Sequence, residues 1–372
     1  MDARVHRAAT DAAEATPWRL TELLGVRLPR VAVVIGCYNQ AAYVETAIRS
    51  VASQDYGNFE CVVLDDNSAD GSADRIGDAL ASLGDARFRT ILRRENGGQM
   101  ATMLEGLDAT SSPFVAFLDA DDFWHPEFLE RHVRAHMSER GIAALSCSNL
   151  AIIDMDGTQL SGGKPNFIAA DPRRLLSGVV AVEEALETEI RNFIAPAPSV
   201  GWIWSSTSAM MFRRTVLDVL RPARPERLRI CADYHYAKGA HMLGGTVRIE
   251  QSLGAYRVHK SNGFARNKLL GDLSALGKPP DDIVLACNEE FVRCLCDRAE
   301  QLCTTLSPEY IAKLLVKHMG RKGAFALAAT NPGARHILST LPPPRPVTRL
   351  KRIKRRLKRW LRPSYGKTKP PG

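Results

Sequence analysis

The chain has 372 residues, enough for one large or two medium domains, and its apolar and charged shares, 45% and 24%, are those of an ordinary soluble fold. The net charge of +9 sits at one end: residues 345 to 372 hold 12 Lys or Arg and no acid, which leaves 38 basic against 41 acidic residues before them, a net of −3. The body therefore lacks the basic surplus of a nucleic-acid-binding domain. No run of 18 apolar residues offers a membrane span, and the eight scattered cysteines contain no Cys-x-x-Cys pair for zinc.

Residues 1–29 read as a lead-in; Met1 to Arg19 carries acids and no apolar core, so it is not a secretory signal. The cysteines mostly have apolar neighbours and read as reduced, buried thiols of a reducing compartment. Val31 to Ile35 is a short apolar, β-branched run that predicts a buried strand, broken at Gly36-Cys37-Tyr38-Asn39-Gln40. A helix follows, with Val44, Ala47, Ile48 and Val51 on one face. Phe59 to Leu64 predicts a second strand, ending in Asp65-Asp66-Asn67-Ser68-Ala69-Asp70-Gly71-Ser72, where Ser72 can cap the next helix. Phe88 to Leu92 predicts a third strand; Asn96-Gly97-Gly98-Gln99 then turns into a helix with Met100, Met103, Leu104 and Leu107 inward.

Phe114 to Leu118 predicts the fourth strand, and it runs into Asp119-Ala120-Asp121-Asp122. Three acids over four positions repel one another unless a cation or polar ligand joins them. An Asp-x-Asp at the end of a buried strand could hold a divalent metal through oxygen ligands, with a diphosphate completing the shell. The alternative is an acidic loop capping a helix near Pro126. The β-α-β-α-β-α-β alternation implies a parallel sheet covered by helices, whose ligands bind outside the carboxyl ends of the strands. Asp65, Asp66, Asp119 and Asp121 would share that rim.

Val33 to Asn39, Asp65 to Ser72, Asn96 to Gly98 and Leu118 to Asp122, in that order, resemble the nucleotide-binding half of the family 2 glycosyltransferases. The resemblance covers roughly residues 30–130. It implies a GT-A type, Rossmann-like, mostly parallel sheet and an inverting enzyme that uses a nucleotide-sugar donor and a divalent metal, Mn²⁺ or Mg²⁺. It implies that Asp66 binds the base of the nucleotide, with UDP favoured because a carboxylate can accept the imide N–H of uracil. Asp119 would contact ribose or metal, Asp121 would bind the metal, and Asp122 would cap the following helix. Tyr38, Asn39, Arg94, Asn96 and Gly97 would border the donor.

The second half, residues 131–265, is expected to receive the acceptor. Ser206 to Arg214 resembles the family's strand that floors the acceptor site, and Trp202 and Trp204 precede it at strand spacing as candidate sugar-stacking rings or as core. Cys231-Ala232-Asp233-Tyr234-His235 falls where the family places Glu-Asp, so Asp233 is the candidate base, with Ala232 departing from the usual Glu and His235 as runner-up. Ala255 to Asn262 resembles the family's closing strand, and it implies that His259 reaches the metal or the diphosphate.

Residues 281–306 and 308–329 read as two helices of an extension over 266–340, with Val284, Cys287, Phe291, Leu295 and Leu302 inward. Residues 341–372 begin with a stiff Pro342-Pro343-Pro344 linker. Val347 to Leu361 then forms an amphipathic pattern with nine Lys or Arg between 349 and 362. Such a helix can lie on an anionic membrane, each basic residue contributing about 1 kcal/mol near the surface. Arg356 to Trp360 echoes the Gln-x-x-Arg-Trp motif of processive synthases but lacks the Gln. The expectation is a non-processive, metal-dependent transferase, peripheral at the cytoplasmic face, acting on a glycan or lipid-linked saccharide. A sugar nucleotidylyltransferase would need a Gly-Gly-x-Gly-x-Arg loop where Gly36-Cys37-Tyr38-Asn39 stands. A non-enzymatic adaptor working through its basic tail is the other reading.

Overall fold

The computed structural model describes residues 28–137, 143–161, 179–180, 191–198, 201–259, 280–339 and 341–342. The sheet is built outward from β1 (Val31–Cys37), whose seven residues are nearly all buried because both of its edges and both of its faces are covered. It pairs in parallel with β2 (Phe59–Asp65) on one side and β4 (Phe114–Asp119) on the other, and β3 (Phe88–Leu92) adds in parallel to β2. Gly36 and Cys37 continue the first strand rather than breaking it.

Side-chain alternation sends Ala32 and Val34 to one face, against Met100, Met103 and Leu107 of α3 (Gln99–Asp108). Val31, Val33 and Ile35 go to the other, against Val44, Ile48 and Val51 of α1 (Val44–Ala52) and Ile76 of α2 (Ser72–Leu83). Fully burying one such aliphatic side chain contributes on the order of 1.5–3 kcal/mol. Helix α3 lies close on the sheet, since a Cβ at Gly106 would meet Val34 at 2.4 Å. Ser72 does not cap α2: Gly71 holds the cap position, and the buried Ser72 hydroxyl accepts the Gln40 N–H at 3.0 Å and donates to Asp70 at 2.5 Å.

After β4 come β5 (Phe123–Trp124), α4 (Phe128–Met137), β6 (Leu145–Ile153), β7 (Gln159–Ser161), β8 (Val179–Val180) and β9 (Arg191–Ile194). A single 3-10 turn, Thr207–Ala209, leads into β10 (Met210–Arg213), then α5 (Arg214–Val219), α6 (Ala232–Gly244) and β11 (Thr246–Arg257). The described strands join in one sheet in the order β3-β2-β1-β4-β10-β6-β11-β9-β8, with β5 and β7 attached to β11 and β6. Strand β10 is antiparallel to both neighbours, β4 and β6, so the parallel half meets a mixed half at the β4 edge. The helix-flanked sheet expected from the sequence is present, but it is mixed and not mostly parallel: only the β3-β2-β1-β4 run and the β6–β11 pair are parallel among the described strands.

The C-terminal helical extension is also present, as four helices where the pattern suggested two. It comprises α7 (Asp281–Asp297), α8 (Ala299–Thr305), α9 (Pro308–Thr330, kinked at Gly320) and α10 (Pro332–Leu338). Cys287, Phe291, Leu295 and Leu302 are buried as expected, in one cluster that continues onto Tyr236 and Ala240 of α6 and so onto the sheet. The described cysteines are free thiols. Residues 1–27 of the lead-in and the basic stretch 347–362 lie outside the described residues.

Candidate functional site

The carboxyl ends of β1, β2 and β4 converge with the start of α6 and the end of β11. At the β2 end, Asp66 is 3% exposed and its carboxylate is committed to a neighbouring loop. Its Oδ1 accepts the Gly97 N–H at 2.9 Å and pairs with Arg93 at 2.5 Å, and its Oδ2 accepts the Gly98 N–H at 2.7 Å. The carboxylate of Asp66 thus supports the glycine loop, and Arg93 is the arginine paired with it, while Arg94 beside it is exposed. Asn96 adds a bond from its side-chain amide to the Asp66 carbonyl at 3.1 Å. Asp65 accepts the Ser68 N–H on Oδ2 at 2.9 Å, while its buried Oδ1 finds no hydrogen-bond partner among the described residues.

Gly98 is the residue this loop cannot replace. Its φ is +82°, and a Cβ there would come within 2.7 Å of the Arg229 backbone. The close approach lets the Gln99 N–H bond to the Arg229 carbonyl at 2.8 Å, while the Arg229 guanidinium bonds the Asn96 carbonyl at 3.2 Å. Asn39, in the left-handed region at φ 54°, ties the β1 turn to the β2 loop: its N–H donates to Ser68 Oγ at 2.8 Å, and its Oδ1 accepts the Ala69 N–H at 2.9 Å. Tyr38 beside it is half exposed.

At the β4 end the three acids divide. Asp122 is 1% exposed and does not cap a helix; α4 begins at Phe128. Its Oδ2 accepts the Ser208 hydroxyl at 2.6 Å and its Oδ1 accepts the Arg257 N–H at 2.9 Å, so it joins the 3-10 turn to the end of β11. Burial, then the charges of Asp121 and Asp119, holds its carboxyl well above the usual range. Asp121 lies half-buried with its Oδ2 at 2.8 Å from Nε2 of His259, two residues beyond β11. Asp119 is pushed up to about 8, first by burial and then by the charges of Asp121 and Asp233, against the hydrogen bonds of Gln99 and Thr207.

Asp233 stands in the first turn of α6, directly after Cys231, which holds a left-handed φ of 57°. A non-glycine residue in that region stores about 1–3 kcal/mol of strain, and here it sets the angle at which the chain enters the helix. Burial pushes Asp233 up to about 6, although the Tyr234 N–H donates to its Oδ1 at 2.8 Å. The charge of Asp233 is in turn one of the causes that raise Asp119, after burial and Asp121. His235, the alternative base, points away: it is 2% exposed, and its Nε2 donates to the Leu220 carbonyl at 2.7 Å. Trp204 is core, 1% exposed, with its Nε1 donating to Thr246 Oγ1 at 3.1 Å. Trp202 remains half-exposed and stacks on Tyr234, ring centroids 5.9 Å apart and planes 2° from parallel.

The profile of glycosyl transferase family 2 matches residues 32–163, the span that carries β1 to β7 and the acids of the β4 end. Residues 32–163 belong to that family. Relatives of this glycosyltransferase domain include an uncharacterized glycosyltransferase of Nostoc sp., alr2836, 29% identical over 63% of this chain and 66% of that one. The succinoglycan biosynthesis protein ExoO of Rhizobium meliloti is 28% identical over 72% of this chain and 69% of that one. The chain thus spans about two thirds of the length of these relatives. Among solved structures, S. aureus TarS 1-349 in complex with UDP-GlcNAc aligns over 84% of this chain and 79% of that one, at 15% identity and a TM-score of 0.48. A mannosyltransferase of Pyrobaculum calidifontis in complex with GDP-Man and Mn²⁺ aligns over 87% and 85%, at 15% identity and a TM-score of 0.44.

The residue of the glycosyltransferase domain that sequence reasoning passed over is Gln99. Its Oε1 accepts the Ala232 N–H at 2.9 Å, its Nε2 donates to Thr207 Oγ1 at 3.3 Å, and it hydrogen-bonds Asp119. One amide therefore joins the β4 acid, the 3-10 turn and the helix that carries Asp233. The available signal was a polar residue placed immediately after Asn96-Gly97-Gly98, at the first position of an otherwise apolar-faced helix. Thr207 and Ser208 were visible within the Ser206–Arg214 stretch, but only the fold shows that both serve the acids of β4.

Proposed function

We propose that the chain is an inverting glycosyltransferase that moves a sugar from a nucleoside diphosphate sugar to a hydroxyl of a glycan or glycolipid acceptor. The observation that carries this reading is the meeting of Asp119 and Asp121, at the end of β4, with Asp233, at the start of α6, across the Gln99 bridge. Residues 30–130 supply the donor half and 131–265 the acceptor half. Tyr38, Asn39, Asn96 and Gly97 border the donor, with Asp66 fixing the loop on which the last two stand. A uridine nucleotide is the first donor to test.

The donor set also fits a divalent cation. Two carboxylates and an imidazole are oxygen and nitrogen ligands suited to Mn²⁺, and acids this close would be relieved of mutual repulsion by a cation. Among the described residues no three such side chains already converge at ligand distance, so the pair Asp121 and His259, with Asp119, would complete its shell with phosphate oxygens of the donor. A bound cation supplies Lewis-acid stabilisation of the departing diphosphate.

Asp233 acts on the other partner. As a carboxylate it takes the proton of the acceptor hydroxyl while that oxygen attacks the anomeric carbon from the face opposite the diphosphate, a single displacement that inverts the centre. Trp202 stacked on Tyr234 offers a flat apolar surface for an acceptor sugar beside that base. The chain has no Gln-x-x-Arg-Trp motif, which fits non-processive transfer. Among the described residues no helix is long and apolar enough to cross a membrane. The basic, amphipathic sequence of 347–362 supports attachment to an anionic membrane, at its cytoplasmic face, where a lipid-linked saccharide could be met.

The test is a panel of nucleotide sugars with purified protein, with and without Mn²⁺, read by thermal stabilisation and donor turnover. One donor should raise Tm in the presence of metal, and Asp121→Ala should remove that response. Asp233→Asn should still bind the donor but lose turnover by roughly 10²–10⁴-fold. If no nucleotide sugar stabilises the protein under any of these conditions, the reading is wrong.

A further inference from the structure

One residue along from Asp233, a cavity of about 230 Å³ opens between α6, α7 and α9, walled in part by Tyr234, Lys238, Asn288, Phe291, Lys317 and His318. None of these residues has been used above to hold the donor. The wall carries two ammonium groups and no carboxylate. Lys238 Nζ bonds the Tyr234 hydroxyl at 2.7 Å and lies 4.3 Å from the centre of that ring. The acids of α7 nearest the cavity are already engaged by arginines: Glu290 by Arg224 at 2.7 Å, and Glu289 by Arg227 at 2.5 Å. Among the described residues neither lysine is ion-paired. His318, held down to about 4 by burial and then by Lys238 and Lys317, is neutral at physiological pH and adds a polar ring without cancelling the charge.

The cavity also adjoins the acceptor side of the reaction. Tyr234 forms part of its wall and at the same time carries the stacked Trp202 ring, and the charge of Asp233 is felt at the Cys287 thiol on the same wall. Lysines are point-charge ligands for phosphate, which takes hydrogen bonds from several directions, whereas planar carboxylates favour the fork of an arginine. Two ammoniums, the Asn288 amide and the Tyr234 hydroxyl form such a many-sided donor set. We propose that this cavity binds a phosphate group of the acceptor, which seats a phosphate-bearing saccharide with its sugar on the Trp202–Tyr234 stack and its hydroxyl toward Asp233.

This inference rests on the glycosyltransferase reading only for the word acceptor; the anion site itself is testable without donor. Inorganic pyrophosphate is titrated calorimetrically into metal-free protein, and a short-chain alkyl diphosphate in neutral micelles forms a second arm. Wild type should bind, Lys238→Gln/Lys317→Gln should weaken binding at least about tenfold, and Asp121→Asn should leave it unchanged. Lys317→Glu, at an exposed position, repeats the test with little risk to the fold. Micellar diphosphate bound more tightly than pyrophosphate identifies a lipid-borne phosphate; equal binding identifies a soluble one. Donor hydrolysis should be the same in wild type and the double variant. Pyrophosphate binding that survives the lysine substitutions, or is absent from a wild-type protein that still hydrolyses donor, overturns the proposal. Anion binding lost with the lysines in a protein that turns over no nucleotide sugar upholds the site and removes the glycosyltransferase reading instead.

Discussion

His259 Nε2 stands 2.8 Å from Asp121 Oδ2, although 138 positions separate the two residues in the chain. Strand β11 brings them together, because Arg257 at its end is pinned by Asp122 through its N–H and by the Asp121 carbonyl through its Nε at 3.0 Å. If the imidazole and carboxylate share a cation, loss of either ligand weakens metal binding before it weakens the fold. His259→Ala is expected to raise the Mn²⁺ concentration needed for half-maximal donor turnover by about 10–100-fold. Rate measurements over a Mn²⁺ series check this. An unchanged metal dependence at reduced rate would assign His259 to packing against Tyr43, whose ring centroid is 5.4 Å away.

Asp66 gives a second, opposite kind of test. A residue that only touched the nucleotide base could be removed without loss of stability. Here its carboxylate holds two loop N–H groups and Arg93, so its removal leaves a mostly buried guanidinium with Glu105, at 2.8 Å, in place of two carboxylates and frees the Gly97–Gly98 loop. Each hydrogen bond to a charged group contributes about 1.5–3 kcal/mol. Asp66→Ala should therefore destabilise the protein by several degrees in Tm, with or without nucleotide. A donor-affinity loss at unchanged Tm would restore the direct base contact.

These two residues show what could and could not be read from the chain. The runs Val31–Ile35, Phe59–Leu64 and Phe114–Leu118 are short, apolar and separated by helical spacing, so the parallel half and its acidic rim follow from local pattern alone. Asp119, Asp121 and Asp233 were legible as acids at strand and helix ends. Which way each one faces was not. Asp66 and Asp122 are the same residue type as Asp121, yet both are consumed by hydrogen bonds from groups at least 27 residues away. Trp202 and Trp204, two residues apart, would share one face of a strand; the segment is irregular instead, and it buries Trp204 while leaving Trp202 half-exposed. Gln99 was invisible for the same reason: its partners Thr207 and Ala232 lie 108 and 133 positions away.

The pH dependence follows from Asp233. Burial raises it to about 6, and a general base must be ionised to work. Turnover at saturating metal and donor should therefore fall on the acid side through about pH 6, a limb absent from any residual activity of Asp233→Asn. Stability runs the other way. The folded protein holds this proton more tightly than the unfolded chain, so the contribution is complete below the ordinary carboxyl value of 3.8 and is lost as pH rises through about 6. Asp233→Asn should be more stable than wild type at pH 7 and converge with it near pH 4. Thermal melts of both proteins from pH 4 to 8 decide this, and parallel curves would show that Asp233 is not desolvated.

Gln99 carries the final prediction, because its amide joins Asp119 to the N-terminus of α6. Gln99→Leu removes the bonds to Asp119, Thr207 and Ala232 together, which at about 0.5–1.5 kcal/mol each should cost about 1.5–4.5 kcal/mol of stability and slow turnover more than it weakens donor binding. A drop in Tm alone could come from any buried polar loss, so the informative variant is Gln99→Glu. It keeps an oxygen for the Ala232 N–H but places a second charge beside Asp119. Without metal the like charges oppose each other and the fold should lose stability as pH rises; with Mn²⁺ the same charges attract the cation. The Tm gain on adding Mn²⁺ should accordingly be larger for Gln99→Glu than for wild type, whereas Gln99→Leu should gain no more than wild type does. Equal gains in all three proteins would mean that Gln99 is a structural tie and does not position the acid at the metal site.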